Sequence, residues 1–158
     1  MRSSDLCLAS AVLLSMGAAL KFVPLLPVAL ILMVGQYKKA FNPVSKDSIY
    51  NPAVQRTTAY VLFALALLEG LTGFGAGPQT STVVNEVTLG LLDRGTSLQL
   101  HLILIAPLSF FFIVHSTSGL GNLMLRRGVK NPLVYSYLLP LSMVTLFVIA
   151  FYLDTLYF

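Results

Sequence analysis

The sequence predicts an all-α integral membrane protein, with three core transmembrane helices and an additional membrane helix at the N-terminus. Three observations carry this reading. The chain of 158 residues is 56% hydrophobic and only 10% charged, against about 25% charged in soluble domains. Its mean hydropathy is +0.83, on the apolar side of the scale. Uncharged runs recur along it, and the longest covers residues 95–125. A helix needs only about 20 apolar residues to cross a bilayer.

The same composition bounds function. The length allows one helical bundle and no sizeable soluble domain. The net charge of +4 comes from clusters at the ends of apolar runs. No Lys/Arg tract with interleaved aromatics occurs, so nucleic acid is not an expected partner, whereas membrane lipids are. The single cysteine, Cys7, excludes an internal disulfide and a multi-cysteine metal site. There is no Trp, so interface anchoring falls to the seven Tyr. The chain has no nucleophile–base pair, phosphate loop or carboxylate pair, and no catalytic residue is assigned.

Residues 1–37 form the first region. Asp5 and Lys21 bracket one uncharged run, and a second follows from Phe22 to Tyr37. Pro24 and Pro27 interrupt the pattern. The stretch reads as a retained N-terminal membrane helix, kinked between Lys21 and Pro27. A cleaved signal would have a shorter apolar core and a clearer cleavage site. Residues 38–158 form the second region, a three-helix anchor. It opens with a polar loop, 38–55, kept extended by Pro43 and Pro52.

Arg56 opens the next span, which Gly70, Gly73, Gly75, Gly77 and Pro78 bring to an end. Glu69 near its far end reads as a carboxylate close to the interface, with an ion-carrying role as the alternative. Residues 78–96 are a polar loop with room for a short surface helix. Ser97–Leu125 is the central span, stopped by Arg126, Arg127, Gly128 and Lys130. Asn131-Pro132 opens the last span, which ends at Asp154 and should kink at Pro140. Lys38, Lys39, Lys46, Arg56, Arg126, Arg127 and Lys130 flank two loops separated by two spans, so they share one face. The positive-inside rule makes that face cytoplasm or mitochondrial matrix.

His115 lies at membrane depth in the central span. A titratable group there is costly unless something engages it. Ser116, Ser118, Gly119 and Gly121 leave room beside it for a flat object or another helix. Imidazole suits iron, copper or zinc, and small neighbours suit an axial haem ligand. A histidine bonded to a hydroxyl or carbonyl of a neighbouring helix fits the same pattern. His101 is fourteen residues away, about 21 Å along a helix. It cannot hold the same iron and is expected to be a non-ligand near the acidic face. A second axial ligand would come from another chain.

Residues 115–128, HSTSGLGNLMLRRG, resemble the H-x-x-x-G-[IL]-R-H-L-x-W-D-x-G stretch of the succinate dehydrogenase cytochrome b large membrane-anchor subunit. His115, Gly119, Leu120, Leu123 and Gly128 match. Residues 42–52, NPVSKDSIYNP, resemble that family's R-P-L-S-P-H-L-x-I-Y-x-P segment through Pro43, Ser45, Ile49, Tyr50 and Pro52. The resemblance implies an anchor subunit of respiratory complex II, an electron-transport complex that also serves the tricarboxylic acid cycle. It implies haem b ligated by His115 beside Gly119, and a second small anchor subunit. Flavoprotein and iron–sulfur subunits would dock on the basic face, with ubiquinone as electron acceptor. The location implied is the mitochondrial inner membrane, or else a bacterial plasma membrane.

The departures concern quinone. The family's polar pair for that site falls on Ala59 and Phe63, and its Arg, His and acidic residue after the Gly fall on Gly121, Asn122 and Arg126. Quinone donors in this chain would be Arg56, Thr57 and Thr58. Two other classes stand beside this reading. One is a structural membrane subunit of a respiratory or ATP synthase complex without haem or quinone chemistry. The other is an ion-translocating subunit, since residues 51–70 faintly resemble the carboxylate-bearing helix of the ATP synthase c subunit. No Gly-rich partner helix precedes them.

Overall fold

The computed structural model describes residues 3–156, and every regular element among them is helical. Three helices are long and apolar enough to cross a membrane: Pro52–Ala76 (α4), Arg94–Arg126 (α6), and Val134–Leu156, whose first turns are a π-helix and whose remainder, Leu139–Leu156, is α7. Before them come Ser3–Ala19 (α1), Leu25–Gly35 (α2) and the single turn Tyr37–Ala40 (α3). A short helix, Ser81–Val87 (α5), interrupts the loop between α4 and α6.

Local signals set the ends of the long helices. Asn51 caps α4 by accepting the Ala53 N–H at 2.9 Å, and Pro52 supplies the first position, where its missing N–H costs nothing. Asp93 caps α6 by accepting the Thr96 N–H at 2.7 Å. That N–H, with the Thr96 hydroxyl, holds the Asp93 carboxyl below its usual range. Gly128, at φ 79°, provides the left-handed turn just past α6.

α4 and α6 run antiparallel and form the most extensive packing in the molecule. Their approach depends on glycine. A Cβ at Gly75 would collide with Ser97 Oγ, and one at Gly73 would lie 3.2 Å from the His101 ring. A Cβ at Gly121 would enter the Tyr50 ring. Small residues let backbones close in the way that helix pairs in lipid require.

α7 joins through the Tyr50 hydroxyl, which donates to Tyr135 O at 2.8 Å. The π-turn explains why that carbonyl is free. Within it the hydrogen bonds skip five residues, as from Leu139 N to Val134 O. The next donor in that series would be the nitrogen of Pro140, which has no proton. The expected disturbance at Pro140 thus takes the form of a π-turn just before it. Burial pushes the Tyr50 phenol far above its ordinary pKa, helped by Tyr37, Cys7 and Tyr135 nearby, so the hydroxyl stays a donor.

The N-terminal region differs from expectation. Over the described residues 3–37 the expected single kinked helix is instead a hairpin of two shorter helices followed by a turn of helix. The chain reverses at Leu20–Pro24, where Lys21 takes a left-handed φ of 55°. Pro24 cannot supply the N–H that would continue α1. With 17 and 11 residues, α1 and α2 are about 25 and 17 Å long, and neither qualifies as a span by length and hydropathy. They pack on each other and α1 packs on α6. Cys7, Ala11, Leu14 and Ala18 form its buried stripe and join Phe110, Phe147 and Phe151 in one continuous core. Lys21 Nζ meets Asp154 Oδ2 at 3.2 Å, fastening the hairpin turn to the end of α7.

Two faces result. The loops before α4 and after α6 meet at one end, where Ser118 Oγ donates to Ile49 O and Tyr50 reaches Tyr135. At the other end Arg94 Nε donates to Ala76 O at 3.2 Å. Lys46 and Lys130 should therefore react with an impermeant amine reagent from the same side of sealed membranes; labelling from opposite sides would contradict the arrangement. Gly121→Ala should displace Tyr50 and destabilise the bundle by about 1–3 kcal/mol. Gly70→Ala, where an added Cβ meets nothing within 4 Å, should not lower the thermal unfolding temperature in detergent and should raise it slightly, since Ala is the better helix former.

Candidate functional site

The site lies on the α4–α6 seam and is built from both sides. Val54 and Thr58 sit one turn apart on α4 and both face inward. Across from them α6 presents Val114, Thr117, Ser118 and Gly121 as its buried face, with His115 at the margin and partly exposed. Thr58 Oγ1 lies 2.8 Å from Val54 O and 2.8 Å from His115 Nδ1. The hydroxyl has a single proton; when Val54 O takes it, Nδ1 donates its own proton to Thr58 Oγ1, and that tautomer leaves a lone pair on Nε2, which has no partner among the described residues.

Gln55 completes the tether. Its Nε2 donates to His115 O at 2.7 Å. Its amide also fills the clearance beside Gly119, where an added Cβ would lie 3.2 Å from both amide heavy atoms. The room left by Gly119 therefore admits Gln55, and open space begins just beyond it. That space is a groove of about 380 Å³ between the start of α4 and the end of α6, walled by Gln55, Arg56, Gly119, Asn122 and Arg126. Two guanidinium groups and two amides thus border one cleft at the basic end, a turn or two from His115.

Of the residues singled out from the sequence, His115, Gly119, Thr58 and Arg56 come together here. Thr58 is spent on the histidine and is fully buried, so it faces no ligand directly. Thr57 is exposed and is not part of the groove wall. Ala59 and Phe63 lie on the outward side of α4. Gln55, Asn122 and Arg126 were not legible as site residues. Their one signal is that polar side chains recur on the facing turns of two otherwise apolar helices.

His101 lies toward the opposite end, as its spacing requires. Its Nδ1 is 3.2 Å from Glu69 Oε1 and 3.3 Å from Glu69 O. The pairing of Glu69 with His101 was not anticipated, because 32 residues and a loop separate them in sequence. Among the described residues no group of three His, Cys, Asp or Glu side chains could hold a metal ion alone.

Thr58→Val should leave His115 Nδ1 without its hydroxyl partner and lower stability by about 1 kcal/mol, the scale of one interhelical hydrogen bond in lipid. Thr58→Ser should restore it. Thermal unfolding of the purified protein checks both. No protein-family model, curated protein or solved structure shows significant similarity to the chain.

Proposed function

We propose that the chain is a membrane-anchor subunit of succinate dehydrogenase, respiratory complex II, that holds haem b with a partner anchor subunit. One observation carries this reading: within a span, His115 Nδ1 lies 2.8 Å from Thr58 Oγ1 while Nε2 has no partner among the described residues. With Nδ1 protonated, that is the arrangement a ligating imidazole needs, its other ring nitrogen donating to a fixed acceptor. The packing supports it further. Residues 42–52 and 115–128, which carry the sequence resemblance, lie against each other through Ser118–Ile49 and Tyr50–Gly121.

The donor set fits a single protein ligand: His115 Nε2 would hold the haem iron, and a histidine of a partner chain would supply a second ligand. Bound haem would accept and pass on single electrons. This chain's residues do the rest. Thr58 fixes the ring and its tautomer, Gln55 holds the backbone of the same turn, and the apolar core behind keeps water away. Arg56 and Arg126 at the groove would offset the negative charge of haem carboxylates. Arg56 and Asn122 would be the donors for a ubiquinone carbonyl near the basic face, since Thr58 and the Gln55 amide are committed to His115. The flavoprotein and iron–sulfur subunits would dock on that face, in the matrix of the mitochondrial inner membrane.

His115→Ala should abolish the reduced-minus-oxidised haem b absorption of the purified complex, while His101→Ala keeps it. Retention of the spectrum in His115→Ala would overturn the ligand assignment and leave a purely structural subunit. Co-purification of flavin and iron–sulfur subunits tests the assembly itself.

A further inference from the structure

We infer that Glu69 and His101 form a reversible proton-binding site in the acidic-face half of the membrane, with His101 as its port and Glu69 as its store. The inference is independent of the haem reading.

The pair is set deep in the seam. Glu69 lies seven residues before the end of α4 and His101 seven residues after the start of α6, each about 10 Å from the helix end. Glu69 keeps only 14% side-chain exposure and His101 32%. Gly73 makes the space for the ring, its missing Cβ lying 3.2 Å from the imidazole. The Glu69 carbonyl can only accept, so Nδ1 carries a proton and shares it between Glu69 O and Oε1. Nε2 has no partner among the described residues and is not sealed inside the fold.

A simple ion-pair clasp does not account for the other carboxylate oxygen. Glu69 Oε2 is buried and has no hydrogen-bond partner. A fixed carboxylate in an apolar interior needs its lone pairs satisfied, whereas a carboxyl that takes up a proton sheds the charge. Among the described residues no other charged side chain competes. On α6, Arg94 is engaged with Ala76 O and Asp93 with Thr96, two turns nearer the helix end. α5 turns Val84 toward this region, and its Glu86 is exposed.

The transfer balances in one step. A proton from outside adds to the Nε2 lone pair. The Nδ1 proton passes to Glu69 Oε1. The ring remains neutral with its proton now on Nε2, and the new carboxyl donates back to Nδ1. One proton has moved onto the carboxylate, and release reverses the path.

The test follows the carboxyl stretch of the intact protein in its membrane by infrared difference spectroscopy. A protonated-carboxyl band should appear as pH falls, and Glu69→Gln should remove it. Gln keeps an acceptor for the imidazole, so the fold is retained. His101→Asn keeps an N–H donor toward Glu69 and removes the port; it should slow hydrogen–deuterium exchange of the band at least about tenfold. A lipid-soluble carbodiimide should modify Glu69 faster at the lower pH. If no pH-dependent band is lost in Glu69→Gln, or the exchange rate is unchanged in His101→Asn, the inference is wrong.

Discussion

The close approach of α4 and α6 is the constraint on which the rest of the molecule depends. In lipid no hydrophobic force draws one apolar helix to another, so association rests on contact and on hydrogen bonds between backbones that can come near. Gly73, Gly75 and Gly121 supply that nearness, and Gly119 admits the Gln55 amide. Once the backbones are this close, polar side chains of one helix can reach the other. Thr58 and Gln55 reach His115, and His101 reaches Glu69. The loop before α4 is pinned as a consequence, because Ile49 and Tyr50 must fit against Ser118 and Gly121.

The class of fold was legible because hydropathy and length suffice to identify spans. The three core spans lie where the uncharged runs placed them, but α4 begins at Pro52, inside the stretch read as an extended loop, because Asn51 caps it and Pro52 suits the first helical position. The N-terminal region was misread for a physical reason. Pro24 and Pro27 signal a disturbed helix, but a kink and a reversal differ only in what the flanking residues do. The left-handed turn at Lys21 and the acceptance of its ammonium by Asp154 decide between them. Asp154 is 133 residues away, and no local pattern reports a contact of that range.

The site was partly legible. His115 stood out because a titratable group at membrane depth is costly, and Arg56 and Thr58 because they open a span. Gly119 was read as clearance for a flat object or another helix; such clearance is visible in sequence, but its occupant is not. Gln55 fills it, and only the register between two antiparallel helices sets that. The same register joins Glu69 to His101. Each residue was noticed alone, and neither carried a sign of the other.

Both imidazoles stand on α6 and both are tethered through Nδ1 to α4, at points about 21 Å apart along the helix. Two such fixings on one seam act as a vernier. Sliding α4 along α6 by even a fraction of a turn would break both at once, and the glycine contacts between them leave no slack for rotation. The pair of helices is therefore a rigid strut rather than a piston.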